Sequence, residues 1–197
     1  MSADLVFLPA TTPEDRTYGA IPQHLAGYPE VCVHAIRFPR VVWYNRGIRD
    51  QAVAQIQELA LDSFILVGFS KSGLGAWNLA REIPDRVAGT LIFDAPVASD
   101  DWRRWGDEFY QDDAAWQRDL PLRAVRQERQ PWPPAPGLVL VSGEAFHDQM
   151  AALAVALTAA GVRHTFIPHP DMPHHWNAGW IEEGLTVLLG RPRREKD

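Results

Sequence analysis

The stretch Phe64-Ile65-Leu66-Val67-Gly68-Phe69-Ser70-Lys71-Ser72-Gly73-Leu74-Gly75 constrains the fold of this chain more than any other. Its first four residues are all apolar, which marks a strand covered on both faces, since a half-exposed strand alternates apolar with polar. Gly68 opens a tight turn, and Leu74, Trp77 and Ala80 then fall on one face of a helix that Pro84 closes. A doubly buried strand feeding straight into a helix belongs to a parallel sheet flanked by helices.

The rest of the chain repeats that alternation. Residues 5–8, 31–36, 90–93, 138–141 and 164–167 read as further strands, with a helical turn near 21–26. Val53, Ile56, Leu59 and Ala60 mark a helix over 49–61, and two more are expected over 149–160 and 177–189. Gly161 and Gly190 follow those last two as C-cap residues. The pattern predicts one α/β domain over residues 1–197, with a mainly parallel sheet of about six or seven strands. With 46% apolar residues, a chain of 197 has enough to fill such a core. Residues 98–136 stand apart, with Trp102, Trp105, Phe109, Tyr110 and Trp116 among many charges and a proline-rich end. This excursion between two core strands reads either as a small helical cap whose aromatics wall a pocket, or as a surface elaboration whose aromatics pack on the core.

The turn at Ser70 also carries chemistry. A strand-to-helix turn this tight forces its central residue into strained geometry and needs small neighbours to avoid collisions across it. It sets a hydroxyl at a helix N-terminus, where backbone N–H groups favour developing negative charge. A phosphate-binding loop would need Lys and Ser/Thr after the last glycine, but Gly73 is followed by Leu74 and Gly75. The G-x-G-x-x-G dinucleotide spacing is absent as well. The plainer alternative is that Ser70 only caps the helix.

Gly68, Ser70 and Ser72 resemble the G-x-S-x-G nucleophile elbow of the α/β-hydrolase family, with Ser72 in place of the final glycine. The resemblance implies an α/β-hydrolase fold and a serine hydrolase acting on an ester, thioester or related acyl bond of a small molecule. Ser70 is then the nucleophile, and the acid and the histidine follow it in that chain order. His174, with Trp176 two residues on, resembles the H-x-W arrangement of small esterases; His175 and His169 are the alternatives. The expected acid is Asp148, after strand 138–141, with Glu144 as its rival and Asp94 a third candidate at the end of the preceding strand. The oxyanion hole would use the backbone N–H groups of Lys71 and Thr11, or Ala10, although Pro9-Ala10 stands where relatives often carry His-Gly. No metal or organic cofactor is implied. The reading from a different class is a binding protein of the same fold whose triad has decayed.

Charge and composition set outer bounds. A net charge of −6 provides no footprint for nucleic acid or an anionic membrane, and the basic run Arg191, Arg193, Arg194, Lys196 reads as a solvated tail. No apolar run approaches the ~20 residues of a membrane-spanning helix, and the first residues lack the features of a signal peptide, so the cytoplasm is the expected location. The single cysteine, Cys32, excludes an internal disulfide and is expected to be buried and inert between Val31 and Val33. His169, Asp171, His174 and His175 crowd together but lack a metal-ligand spacing such as H-E-x-x-H.

Overall fold

In the computed structural model, residues 2–28, 30–99, 109–128, 131–133, 137–177 and 179–190 are described. The apolar runs form six strands: β1 (Ala3–Leu8), β2 (Val31–Ala35), β3 (Phe64–Phe69), β4 (Val87–Phe93), β5 (Gly137–Val141) and β6 (Thr165–Ile167). All pair in parallel, in the order β2-β1-β3-β4-β5-β6. Every residue of β3 is buried, as its unbroken apolar run requires of a central strand.

Helices cover both faces. Strand residues such as Val6, Leu8 and Leu66 pack against α2 (Arg46–Glu58), α3 (Lys71–Glu82) and α6 (His147–Ala159). Leu5, Phe7, Val67 and Phe69, one residue out of phase, meet α1 (Gln23–Ala26) and α7 (Trp180–Leu188) on the other face. Each such aliphatic or aromatic side chain taken out of water contributes about 1.5–3 kcal/mol. The chain leaves β1 toward β2 and leaves β3 toward β4, in opposite directions. Right-handed crossovers then send α1 and α3 to opposite faces, which opens a crevice at the C-terminal ends of β1 and β3.

The described part of the 98–136 excursion contains two short helices, α4 (Asp113–Asp119) and α5 (Pro121–Gln127). Trp116 is fully buried with Trp43, Leu74, Tyr110 and Leu120, and its indole N–H donates to Ser99 O at 2.8 Å. Trp116 therefore packs into the flank of the fold, whereas Phe109 and Tyr110 line a groove on that flank; Trp102 and Trp105 lie outside the described residues. Among the described residues no helix is long and apolar enough to cross a membrane.

Cys32 departs from expectation. It is exposed, because β2 is an edge strand and side chains alternate along it. Val31 and Val33 turn inward to pack on the core, which leaves Cys32 on the opposite side, beyond the reach of the covering helices.

Candidate active site

Ser70 follows β3 directly and precedes the first residue of α3, with φ 54° and ψ −121°. A non-glycine residue in that region stores about 1–3 kcal/mol of strain, which its neighbours must hold. Gly68 is obligatory here, since a Cβ on it would lie 2.2 Å from Ser72 O. Ser72 serves the turn where the G-x-S-x-G pattern has its final glycine: its hydroxyl accepts from Phe69 N–H and donates to Phe69 O, both at 3.0 Å. Ser70 N–H donates to Phe93 O on β4 at 3.0 Å, and Ser70 O accepts from Gly73 N–H at 3.0 Å.

His174 lies in the loop between β6 and α7, and its Nε2 is 3.2 Å from Ser70 Oγ. Its Nδ1 is 2.6 Å from Asp94 Oδ2. An ionised carboxylate only accepts, so Nδ1 carries the proton and Nε2 is left to accept the serine hydrogen. The ring sits against Phe69 at 4.5 Å and meets Phe146 edge-on at 5.5 Å between centroids. The other histidines are engaged elsewhere. His169 Nε2 lies 2.7 Å from Glu183, and His175 Nδ1 accepts from Asn177 N–H at 3.0 Å.

The carboxylate at His174 is Asp94, and the expectation of Asp148 is corrected. Asp94 immediately follows β4 with φ 39° and is fully buried. Its Oδ1 accepts from Gly143 and Phe146 N–H, each at 2.9 Å, and its Oδ2 accepts from Ala145 N–H at 3.2 Å. The loop after β5 thus supplies three backbone donors to an acid from the neighbouring strand, not an acid of its own. Gly143 is needed for this approach: a Cβ there would lie 2.7 Å from Asp94 Oδ2. Asp148 is exposed in the first turn of α6, and Glu144 reaches only the backbone of His174, accepting its N–H at 3.2 Å. The available signal for Asp94 was its place immediately after the buried run of β4, next to the elbow strand.

Solved structures share this architecture. An S-formylglutathione hydrolase from Agrobacterium tumefaciens superposes with a TM-score of 0.72 at 16% identity, over 96% of this chain and 84% of that one. The fluorophosphonate-binding serine hydrolase FphF of Staphylococcus aureus gives 0.67 at 16% identity, over 95% and 84%. A ferulic acid esterase gives 0.67 at 12% identity, over 95% and 85%. The chain has the α/β-hydrolase fold. No family model and no curated sequence relative matches it.

In this α/β-hydrolase fold the loop after β1 faces the elbow across the crevice. Ala10 N–H donates to Tyr18 O at 2.7 Å, and Ala10 O accepts from Val42 N–H at 2.9 Å, so Ala10 is occupied on both sides. Thr11, the next residue, is buried beside it. Lys71 N–H stands at the first position of α3, where a helix leaves donors without intrahelical acceptors. The Lys71 ammonium lies 4.6 Å from the Tyr18 ring centroid and 5.7 Å from that of Trp43. Burial pulls its pKa down, against the opposing pull of Asp15. Burial pushes the Tyr18 phenol up, and the negative charges of Asp15 and Asp94 add to the rise.

A groove of about 840 Å³ lies on the flank between α2, α3 and the 109–128 segment, and neither Ser70 nor His174 lines it. A buried ionic network lies at its base: Arg49 bonds Asp119 at 2.7 Å and Glu82 at 2.9 Å, and the Tyr110 hydroxyl donates to Asp119 at 3.0 Å. We assign that network to holding α4 against α2 and α3, since a buried ion needs such partners.

Proposed function

We propose that this protein is a serine hydrolase that cleaves an ester, thioester or related acyl bond of a small molecule, with Ser70, His174 and Asp94 as its triad. One observation carries the reading: an unbroken hydrogen-bond chain from Ser70 Oγ through the imidazole to a fully buried carboxylate. As Oγ attacks the acyl carbon, its proton passes to His174 Nε2, and Asp94 stabilises the imidazolium that forms. The carbonyl oxygen takes the negative charge and is held by the N–H groups of Lys71 and Thr11. Collapse of this intermediate breaks the bond to the leaving group, which receives the proton from Nε2. Water, deprotonated by the same nitrogen, then attacks the acyl-enzyme and returns Ser70 to its free form.

The chemistry calls on no metal or organic cofactor, and the acidic net charge favours neither nucleic acid nor an anionic membrane as a partner. A cytoplasmic setting suits a chain with one cysteine and therefore no internal disulfide. The rival reading, a binding protein of the same fold whose triad has decayed, rests on the atypical acid loop and on Pro9-Ala10 in place of His-Gly; the contact of His174 with Asp94 favours the enzyme, because it supplies a carboxylate from outside that loop.

A fluorophosphonate probe and p-nitrophenyl esters of graded acyl length test the proposal. The probe is expected to label the wild type and not Ser70→Ala, with ester hydrolysis falling on the order of 10⁶-fold in kcat. An unlabelled wild type, or labelling that persists in Ser70→Ala, overturns it.

A further inference from the structure

At the opposite end of the sheet from Ser70, the pairing of β1 with β2 brings three unlike donor groups together. Asp4 and Cys32 are register partners, and His34 lies two residues beyond Cys32 on the same strand. Directly paired residues of a parallel ladder share a face, as do residues i and i+2 of one strand, so all three side chains project from one side. Their ligand atoms lie within 4.8 Å of one another, and His34 Nε2 is 2.8 Å from Asp4 Oδ1. The cluster is open to solvent: Cys32 is exposed, and the side chains of His34 and Asp4 are 23% and 38% accessible.

We propose that Asp4, Cys32 and His34 form a binding site for a borderline-soft divalent metal ion of the Zn²⁺ class. The donor set is a thiolate sulfur, an imidazole nitrogen and a carboxylate oxygen, which Zn²⁺ accepts and which hard ions such as Mg²⁺ and Ca²⁺ do not favour. The charges balance, because one thiolate and one carboxylate neutralise the dication while the imidazole stays neutral. On binding, the thiol loses its proton to solvent. The geometry requires only small adjustments. A tetrahedral Zn²⁺ site separates its nitrogen and oxygen ligands by about 3.3 Å and its sulfur and nitrogen ligands by about 3.6 Å. The Asp4–His34 pair therefore opens by about half an ångström, and the sulfur closes within the present 4.8 Å limit. Three protein ligands leave the fourth position for water. The ion would clip edge strand β2 to β1 where its thiol is otherwise exposed.

The site is independent of the proposed chemistry. Leu5, the residue after Asp4, pairs with Ile65, five residues before Ser70, which sets Asp4 roughly 20 Å from Ser70 along the strand direction. Because Cys32 is the only cysteine, thiol chemistry reports on this cluster alone. We would titrate the purified full-length chain with Zn²⁺ and Co²⁺, following the stoichiometry, the thiolate-to-Co²⁺ charge-transfer absorption and the rate at which a disulfide reagent modifies Cys32. One ion per chain is expected, with Zn²⁺ protecting the thiol and a chelator restoring its reactivity. Cys32→Ser should abolish the charge-transfer band, and His34→Ala should weaken binding by more than about tenfold. Asp4→Asn should weaken it less. All three should hydrolyse esters like the wild type, and Ser70→Ala should bind the ion normally, so failure at either site is told from failure at the other. Affinity unchanged in both Cys32→Ser and His34→Ala, or Cys32 reactivity indifferent to Zn²⁺, overturns the site.

Discussion

Ser70 and Asp94 directly follow neighbouring strands, and both are non-glycine residues held at positive φ, yet the fold supports them in different ways. The means of holding Ser70 are mostly local: Gly68 lets the turn close, Ser72 ties back to Phe69, and α3 begins at the next residue. Those of Asp94 are distant, coming from the loop after β5, 49 to 52 residues further on. The difference follows from charge. A hydroxyl is neutral and tolerates the rim of the sheet, whereas a buried carboxylate costs several kcal/mol unless its lone pairs are matched. Asp94 receives four donors, two on each oxygen: Gly143 and Phe146 on Oδ1, Ala145 and His174 on Oδ2. No single turn presents so many, so the acid is assembled by tertiary structure.

The hardest blow to this picture comes from comparing two isosteric changes. Asp94→Asn should lower kcat on the order of 10⁴-fold. Its amide would point N–H at His174 Nδ1, forcing the proton onto Nε2, and would leave the Ala145 N–H facing another donor. Asp148→Asn, on an exposed helical turn, should leave ester hydrolysis within about twofold. Reversed outcomes would return the acid to α6 and undo the comparison drawn here. Steady-state kinetics on one p-nitrophenyl ester suffice to decide.

A subtler change tests whether the distant support matters. Gly143→Ala puts a methyl group 2.7 Å from Asp94 Oδ2, so either the loop or the carboxylate must move. A displacement approaching 1 Å at a catalytic group costs about 10²-fold in rate, and overpacking of this kind costs about 1–3 kcal/mol in stability. We therefore expect kcat to fall by about two orders of magnitude, with a lower urea midpoint. Wild-type kinetics in Gly143→Ala would mean that the loop holds the acid more loosely than its hydrogen bonds imply.

The same contrast explains what the sequence disclosed. The central strand, the elbow and the alternation of elements were legible because their causes are local: an unbroken apolar run, a glycine that must be small, a helix beginning at once. His174 was legible from its place between the last strand and the last helix. Asp94 was harder, because nothing beside it announces a role, and the three donors that mark it come from residues 143, 145 and 146. The loop after β5, where the sequence places Asp148, contributes backbone N–H groups to Asp94, with Phe146 packed against the imidazole. The exposure of Cys32 is not legible, because an apolar triplet does not reveal that its strand lies at the sheet edge.

Glu144 marks the weak end of the comparison. It belongs to the same loop, was the rival acid, and touches His174 only through the backbone N–H. Its own N–H donates to Met172 O at 2.9 Å, so the loop and the histidine segment are also joined without its side chain. An exposed hydrogen bond of this kind contributes about 0.5–1.5 kcal/mol, which limits the effect of Glu144→Ala to roughly two- to tenfold in kcat. Glu144→Gln keeps an acceptor oxygen and should restore most of that loss. Rescue by glutamine separates a positioning contact from an ionic one, because a carboxylate that stabilises the imidazolium cannot be replaced by its amide. Should Glu144→Gln instead lose most of its activity while Asp94→Asn keeps it, the ionic partner of His174 in solution would not be the carboxylate 2.6 Å from its ring.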